Sequence, residues 1–448
     1  MVSIEHFEGK GHRSSFPAFV SNNFDALPES FGNLSSLEFF TIDGGNIKTL
    51  PESFGNLSAL KTLSIDNSKL ESLPPSFGNL HNLEELQIGT GFFGPDKNNE
   101  PAPLELPPAI GQLSKLKKLK LEVPLKPIPD WLGGLSSLEK LCINSDTITA
   151  LPDSLCSLPS VTKIVIECKN LAALPQSIGS LKNLADLRVT SEKLITIPDS
   201  IVELPHLEVL QIDGSSFSVL PELIGNLSSL TRLYLFNTKI KTLPESIGNL
   251  SKLIRIRLLR CAELESLPDS IENLHSLKTL YIRGGKMTAL PESIGNITSL
   301  IGLQLQYTAI ESLPSSIGNL VNLESLGVYS SSNEMRWDSG PDDYPDYYKD
   351  EKIEKRSALG ALPDTVTKLV SLKSLNLHNS EVTSLPENLG NLPALKMLDI
   401  AGCPVKTIPP SIQHLADTGE LTFLRTEKEA IADSWDHLKR RKPRRKKT

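Results

Sequence analysis

Apolar positions along this chain recur in one short pattern. From Leu60 to Pro74, LKTLSIDNSKLESLP, the residues Leu60, Leu63, Ile65, Leu70 and Leu73 can all turn to one side, while Thr62, Ser64 and Asp66 alternate to the other. The Leu-x-Ile core has the period of two of a short, half-buried strand. A segment such as PESIGNL (244–250) follows and returns the chain over the outside. Pro suits the first position of a short helical turn, where its missing N–H costs little, and Gly suits the place where such a turn ends. Cys156, Val202, Glu272, Thr367 and Gln413 take that Gly position in five units, so a left-handed backbone there is not obligatory.

The unit repeats throughout. A Leu/Ile-Pro pair begins at Leu27, Leu50, Leu73, Leu106, Ile128, Leu151, Leu174, Ile197, Leu220, Leu243, Leu267, Leu290, Leu313, Leu362, Leu385 and Ile408, usually 23 residues apart. About 15 such units occupy residues 27–415. One unit cannot bury its own leucines, whereas stacking makes a continuous apolar column. The chain is therefore expected to form one solenoid with insertions at 91–103 and 330–357. Ile4, Phe7, Phe16, Phe19 and Phe24 mark an N-terminal cap over 1–26. Leu424, Ile431, Trp435 and Leu438 recur at helical spacing and predict a capping helix within 416–438. Residues 439–448 read as a basic tail without structure.

The segments LPESIGNLSKL and LLRCAELESLPDSI resemble those of leucine-rich-repeat proteins. They are similar to the repeats of plant intracellular resistance receptors, of leucine-rich effectors injected by plant-pathogenic bacteria, and of cytosolic scaffolds that bind Ras-type GTPases. The resemblance implies an α/β horseshoe solenoid, with a parallel sheet on the concave face and short helical or extended segments on the convex face. It also implies a non-enzymatic protein-interaction module. Where many members carry a ladder of Asn, this chain has Gly45, Ser68, Asp146, Thr238, Cys261, Gly285, Thr308, Ser380 and Cys403. Hydroxyls and thiols there would replace the amide ladder with weaker bonds to backbone carbonyls.

Charge sharpens this picture. The net charge is −7, and setting aside the eight cations between Lys439 and Lys447 leaves −15, so generic polyanion binding would have to reside in the tail or a local patch. The tail fits nuclear import, nucleic acid or an acidic lipid surface. Five scattered cysteines read as free thiols of a reducing compartment. No signal peptide or transmembrane stretch is evident, and a cytoplasmic or nuclear location is expected; an injected effector would also need no such signal. The eight histidines are dispersed and read as surface residues, and no zinc, phosphate-loop or nucleophile-elbow motif occurs. Neither metal, cofactor nor catalytic centre is expected. Asn33, Asn56, Asn226, Asn249 and Asn296 head glycosylation-like triplets at one place in the repeat, which favours a structural role.

Strand positions that do not face the column should face the concavity. In the first half these are Asp43, Asp66, Glu85, Lys118, Lys120, Glu122, Lys140, Lys163, Glu167, Asp186, Arg188 and Asp213, a mixed solvated face. Later strands instead present Arg232, Tyr234, Phe236, Arg255, Arg257, Arg260, Tyr281, Arg283, Gln304, Gln306, Tyr307 and Tyr329. Adjacent strands would set Tyr234, Arg257 and Tyr281 in one row, with the guanidinium between two phenols, and Arg232 opposite Arg255. Tyr and Arg together have the composition of a binding hot spot, expected here to be solvent-exposed and to meet a protein or peptide with acidic groups. The second insertion, with Trp337, Tyr344, Tyr347 and Tyr348 among acidic residues, is a candidate lid. The alternative partner is nucleic acid, met by the arginines and the tail.

Overall fold

The structure, a computed structural model, describes residues 18–20, 25–43, 47–66, 69–89, 102–330 and 356–426. The candidate lid residues, most of both insertions, the predicted helix beyond 426 and the basic tail lie outside the described residues. The chain forms two compact units, Met1–Phe217 and Ser218–Thr448.

In the first unit the strands β1 (Ala18–Val20), β2 (Phe39–Asp43), β3 (Thr62–Asp66), β4 (Glu85–Gly89), β5 (Lys118–Glu122), β6 (Lys140–Asn144), β7 (Lys163–Glu167), β8 (Asp186–Thr190) and β9 (Val209–Asp213) pair in chain order, every pair parallel. The second unit repeats the plan with β10 (Arg232–Phe236), β11 (Arg255–Leu259), β12 (Thr279–Arg283), β13 (Gly302–Gln306), β14 (Ser325–Tyr329), β15 (Ser374–Asn376), β16 (Met397–Asp399) and β17 (Thr422–Leu424). Each unit is thus a leucine-rich-repeat solenoid. The second insertion does not interrupt pairing, since Ser325 still lies opposite Ser374.

The apolar column is as the sequence implies. Leu60, Leu63 and Ile65, and likewise Leu253, Ile256 and Leu258, are fully buried. Phe31, Phe54 and Phe77 stack along the first unit with ring centroids 5.9 and 6.3 Å apart. A lone turn-strand unit would expose these surfaces, so stability comes from nearest-neighbour stacking.

The outer segments are mostly five-residue 3-10 turns such as Glu52–Asn56 and Glu245–Asn249. Pro stands one residue before the turn, in extended backbone (Pro51 φ −65°, ψ 154°), and its carbonyl accepts the first turn bond from Phe54 N at 3.0 Å. The expected placement of Pro inside the turn is therefore shifted by one residue. The glycine also has a different reason. Gly55 and Gly225 are outside the left-handed region; a Cβ on them would lie 2.2 Å from the Ser76 carbonyl oxygen and 2.0 Å from that of Ser246, respectively. Gly here permits the next turn to approach, rather than ending its own.

The exceptions support that reading. Cys156, Val202 and Thr367 fill the Gly position, and the turns that follow shrink to three residues: Ile178–Ser180, Ile224–Asn226 and Leu389–Asn391. Glu272 departs from this, because its carboxylate accepts from Asn296 Nδ2 at 2.7 Å and the following turn stays full length.

At the C-terminal end, α1 (Pro410–Asp417) takes the place of the 3-10 turn with Ile412 buried, and β17 then joins β16. Repeat structure thus continues beyond residue 415. Leu424 ends a strand rather than lying on the predicted helix.

Candidate binding face

Strand exits set the local geometry. In β6, β7 and β8 the residue just after the strand, Ser145, Cys168 or Ser191, is buried, while Asp146, Lys169 and Glu192 are exposed. Asp146 is thus not the ladder residue; Ser145 is. In the second unit the corresponding residue turns out instead, with left-handed backbone at Asn237 (φ 52°), Arg260 (59°), Gly284 (81°) and Tyr307 (51°). The next residue, Thr238, Cys261 or Thr308, enters the interior. Repeat length hides this switch at Asn237 and Tyr307, whose units are as long as that of Ser145, whereas the Arg260 unit is one residue longer. Left-handed backbone is rare for residues with a side chain, and for bulky ones it costs on the order of 1–2 kcal/mol.

The inner ladder is built from hydroxyls and thiols. Thr238 Oγ1 donates to Cys261 Sγ at 3.1 Å, and Cys261 Sγ to the Leu235 carbonyl at 3.4 Å. Cys403 Sγ meets the Leu377 carbonyl at 2.9 Å, and Ser191 Oγ that of Leu171 at 2.7 Å. All five cysteines are free. Burial, reinforced by the nearby carboxylates of Glu167 and Glu122, pushes the Cys142 thiol up to about 12; burial pushes Cys168 up to about 11. These are structural thiols rather than nucleophiles.

On the face turned from the column, the expected rows are present. Arg232 lies opposite Arg255, and Tyr234, Arg257 and Tyr281 follow one another across β10, β11 and β12. The Arg257 guanidinium sits over the Tyr234 ring, 5.6 Å from its centroid, and Tyr234 stacks on Phe236 at 6.0 Å and 13°. Arg255 Nη1 is 3.4 Å from the Tyr234 hydroxyl. The Tyr281 hydroxyl donates to Gln306 Oε1, and Arg283 covers the Tyr307 ring at 5.4 Å. Gln304 Nε2 donates to Ser325 Oγ at 2.8 Å. The Gln304 side chain and the Tyr329 ring fill the space over Gly327, where a Cβ would lie 2.1 Å from the Gln304 Oε1 and 2.8 Å from the ring.

One expectation is corrected. Tyr234, Phe236, Arg283, Gln306 and Tyr329 are buried, and Arg232, Arg255, Arg257, Arg260, Tyr281, Gln304 and Tyr307 are half-buried, so none stands free in solvent. Strands about 4.8 Å apart force large side chains into one packed layer of rings and guanidiniums. Ring faces hold Arg257 and Arg283 extended across the strands.

The first unit's face is chemically different. Lys120 pairs with Glu122 at 2.7 Å, Lys163 with Asp186 at 2.9 Å, and Arg188 with the same Asp186 at 2.9 Å. Its cations are balanced locally by strand carboxylates. By contrast, β10–β13 and their exits contain no Asp or Glu, so any counter-charge for their arginines comes from outside those strands.

Sequence reasoning missed a polar cluster on β15 and β16. His378, read as a surface residue, is buried, with Nδ1 3.2 Å from Asp399 Oδ2. Asn376 and Asp399 face each other across the strands and each caps a backbone N–H two residues on: Asn376 Oδ1 accepts from His378 N and Asp399 Oδ1 from Ala401 N, both at 2.9 Å. The legible signal was an Asn and an Asp at the same repeat position, both able to bond their own backbone. Among the described residues no group of three or more His, Cys, Asp or Glu side chains could hold a metal ion, and no helix is long and apolar enough to cross a membrane.

Comparison with known proteins places these features in a family. The model of a leucine-rich repeat region matches residues 199–280 and 245–337, and that of a leucine-rich repeat matches residues 59–80. No curated protein matches the sequence. Among solved structures, a leucine-rich-repeat protein of Leptospira interrogans is 22% identical with a TM-score of 0.63, covering 90% of this chain and 100% of its own. The plant peptide hormone receptor RGFR1, solved with RGF2, is 23% identical with a TM-score of 0.58, covering 90% of this chain and 65% of its own. Drosophila Toll in its complex with Spatzle is 16% identical with a TM-score of 0.64, covering 86% of this chain and 51% of its own.

Proposed function

The chain is a leucine-rich-repeat protein, and on that premise we propose that it is a non-enzymatic binding protein that seats a protein or peptide on the outer strand face of β10–β14. The observation that carries this reading is the layer formed by Arg232, Tyr234, Arg255, Arg257, Tyr281 and Arg283, which concentrates Tyr and Arg on strands without a carboxylate. Rings stacked under guanidiniums are rigid anchors of the kind that dominate interface energetics. The structural relatives solved with RGF2 and with Spatzle make a macromolecular ligand a natural role for this fold.

The test is recovery and titration of the partner with the Arg257→Glu, Tyr281→Ala double variant. Loss of two anchors should weaken the purified complex by roughly 30-fold or more, about 2 kcal/mol, at unchanged melting temperature. Equal affinity would move the site elsewhere.

A further inference from the structure

We propose a second interaction surface, on the edge where the strands begin, that takes an amphipathic helix of a partner protein through two isoleucines and the lysine between them. The surface is a row formed by the residue just before each strand. In the first unit this row is a ladder of charge, in which Lys61 pairs with Glu38 at 2.9 Å and Lys117 with Glu84 at 2.8 Å. In the second unit Lys373 pairs with Glu324 at 2.8 Å in the same way. The rule breaks before β11, β12 and β13. Ile254 and Ile301, 43% and 38% exposed, stand where a partner charge is expected. Lys278 lies between them, exposed and, among the described residues, paired with no carboxylate. Isoleucines exposed singly are ordinary, whereas two in one row, joined by the aliphatic stem of a lysine, make an apolar strip with a cation at its middle.

Backbone geometry fixes this strip and narrows its occupant. Lys278 N donates to the Ile254 carbonyl, Ile301 N to that of Lys278 and Glu324 N to that of Ile301, each at 2.8 Å, so the row members stack directly on one another. The same three carbonyls also accept from Thr279, Gly302 and Ser325 N at 3.2, 3.0 and 3.1 Å. Donors and acceptors of the row are thus used within the solenoid, and an extended peptide finds no strand edge there to pair with. A helix needs none, because its own backbone bonds are internal. Its pitch also fits the row. Adjacent strands about 4.8 Å apart place Ile254 and Ile301 about 9.6 Å apart, and helix residues i and i+7 lie about 10.5 Å apart on one face with i+4 between them. Apolar side chains at i and i+7 meet the isoleucines, and a carboxylate at i+4 meets Lys278. A nucleic-acid strand instead needs a track of cations along successive phosphates, which a lysine flanked by two isoleucines does not supply.

The experiment uses the full chain and three fluorescein-labelled, lactam-stapled helical peptides in anisotropy titrations: one with Leu at i and i+7 and Glu at i+4, the same peptide with Lys in place of that Glu, and one of the first composition with its Glu moved to the opposite face. The first should bind about tenfold or more tighter than the other two. Ile254→Glu, which restores the charge ladder, should lower its affinity about tenfold or more, and Lys278→Glu should reverse the order of the Glu and Lys peptides. Thr162→Glu, in the same row before β7, should leave all three affinities unchanged, with melting curves confirming that every variant folds. Equal binding of the three peptides, no binding of the first, insensitivity to Ile254→Glu, or an equal loss with Thr162→Glu would each overturn the inference. Sedimentation of the chain alone covers the remaining occupant: dimers that Ile254→Glu dissolves would assign the strip to a second copy and overturn the helix reading.

Discussion

Replacing Gly225 with Ala separates two reasons why a repeat keeps a glycine. The backbone there is outside the left-handed region, so conformation alone favours Ala, which would stabilise by about 0.4–1 kcal/mol through the unfolded chain. Packing says the opposite. The added Cβ would sit 2.0 Å from the Ser246 carbonyl oxygen, 2.9 Å from its carbon and 3.0 Å from Asn249 Cβ. That carbonyl belongs to the turn Glu245–Asn249 and must retreat by about 1 Å, because interiors have little free space to absorb it. Overpacking of this kind costs about 1–3 kcal/mol, so packing wins and the net loss should be about 1–2 kcal/mol. The following turn should shorten as it does after Cys156, Val202 and Thr367. Gly134→Ala is the control, since its Cβ meets only the Gly111 carbonyl oxygen, at 3.7 Å, and should change stability by less than about 0.5 kcal/mol. Hydrogen exchange with mass spectrometry reads the peptide spanning 244–250 directly, which avoids assuming two-state unfolding in a repeat protein. Unchanged or slower exchange there in Gly225→Ala would refute the close-approach argument.

Three further predictions concern backbone, thiols and pH. Arg260→Gly should relieve left-handed strain and raise stability by up to about 1 kcal/mol, while Gly284→Ala, at φ 81° with its Cβ in ordinary contact with Arg260 Cα at 3.8 Å, should lower it by about 1–2 kcal/mol; denaturant unfolding of both variants checks the pair. Half-buried Cys142 and buried Cys168, with thiols raised to about 12 and about 11, should resist alkylation at pH 8 in the folded protein and react promptly once it is unfolded; rapid modification of native Cys168 would contradict its burial. Glu292 is held below the ordinary carboxylate value by hydrogen bonds from Ser316 and Ser315, Glu84 by Lys117 and Glu263 by Lys286. Depressed carboxyls contribute stability above their unfolded value and lose it as pH falls through the folded one, so the melting temperature should drop progressively below about pH 4.5, the ordinary value of these groups. Glu292→Gln should flatten part of that fall.

Much of this was legible because a strand repeats with period two and a solenoid repeats with a fixed step. Those two facts place Leu253, Ile256 and Leu258 in the column and set Tyr234, Arg257 and Tyr281 side by side. What could not be read was how each strand ends. Ser145 turns in and Tyr307 turns out at corresponding positions of units with the same count of residues, and of the two only Tyr307 has left-handed backbone. Burial of the candidate face was missed for a related reason: exposure was inferred one residue at a time, whereas Tyr234, Phe236 and Arg257 shield one another across strands. The pair His378 and Asp399 was missed because the two residues are 21 apart in sequence and meet only through the register of β15 and β16. Glycine in the return segment looked like a turn ending; its neighbour in the next repeat, invisible to local reasoning, is what requires it.

The account depends most on where a partner sits. Hydrogen exchange of the full chain with and without its purified partner tests this directly. Protection should appear in peptides spanning 232–237, 255–260, 279–284 and 302–307 and be absent from those spanning 118–122 and 140–144. Protection confined to the outer 3-10 turns, or to the strands of the first unit, would contradict it.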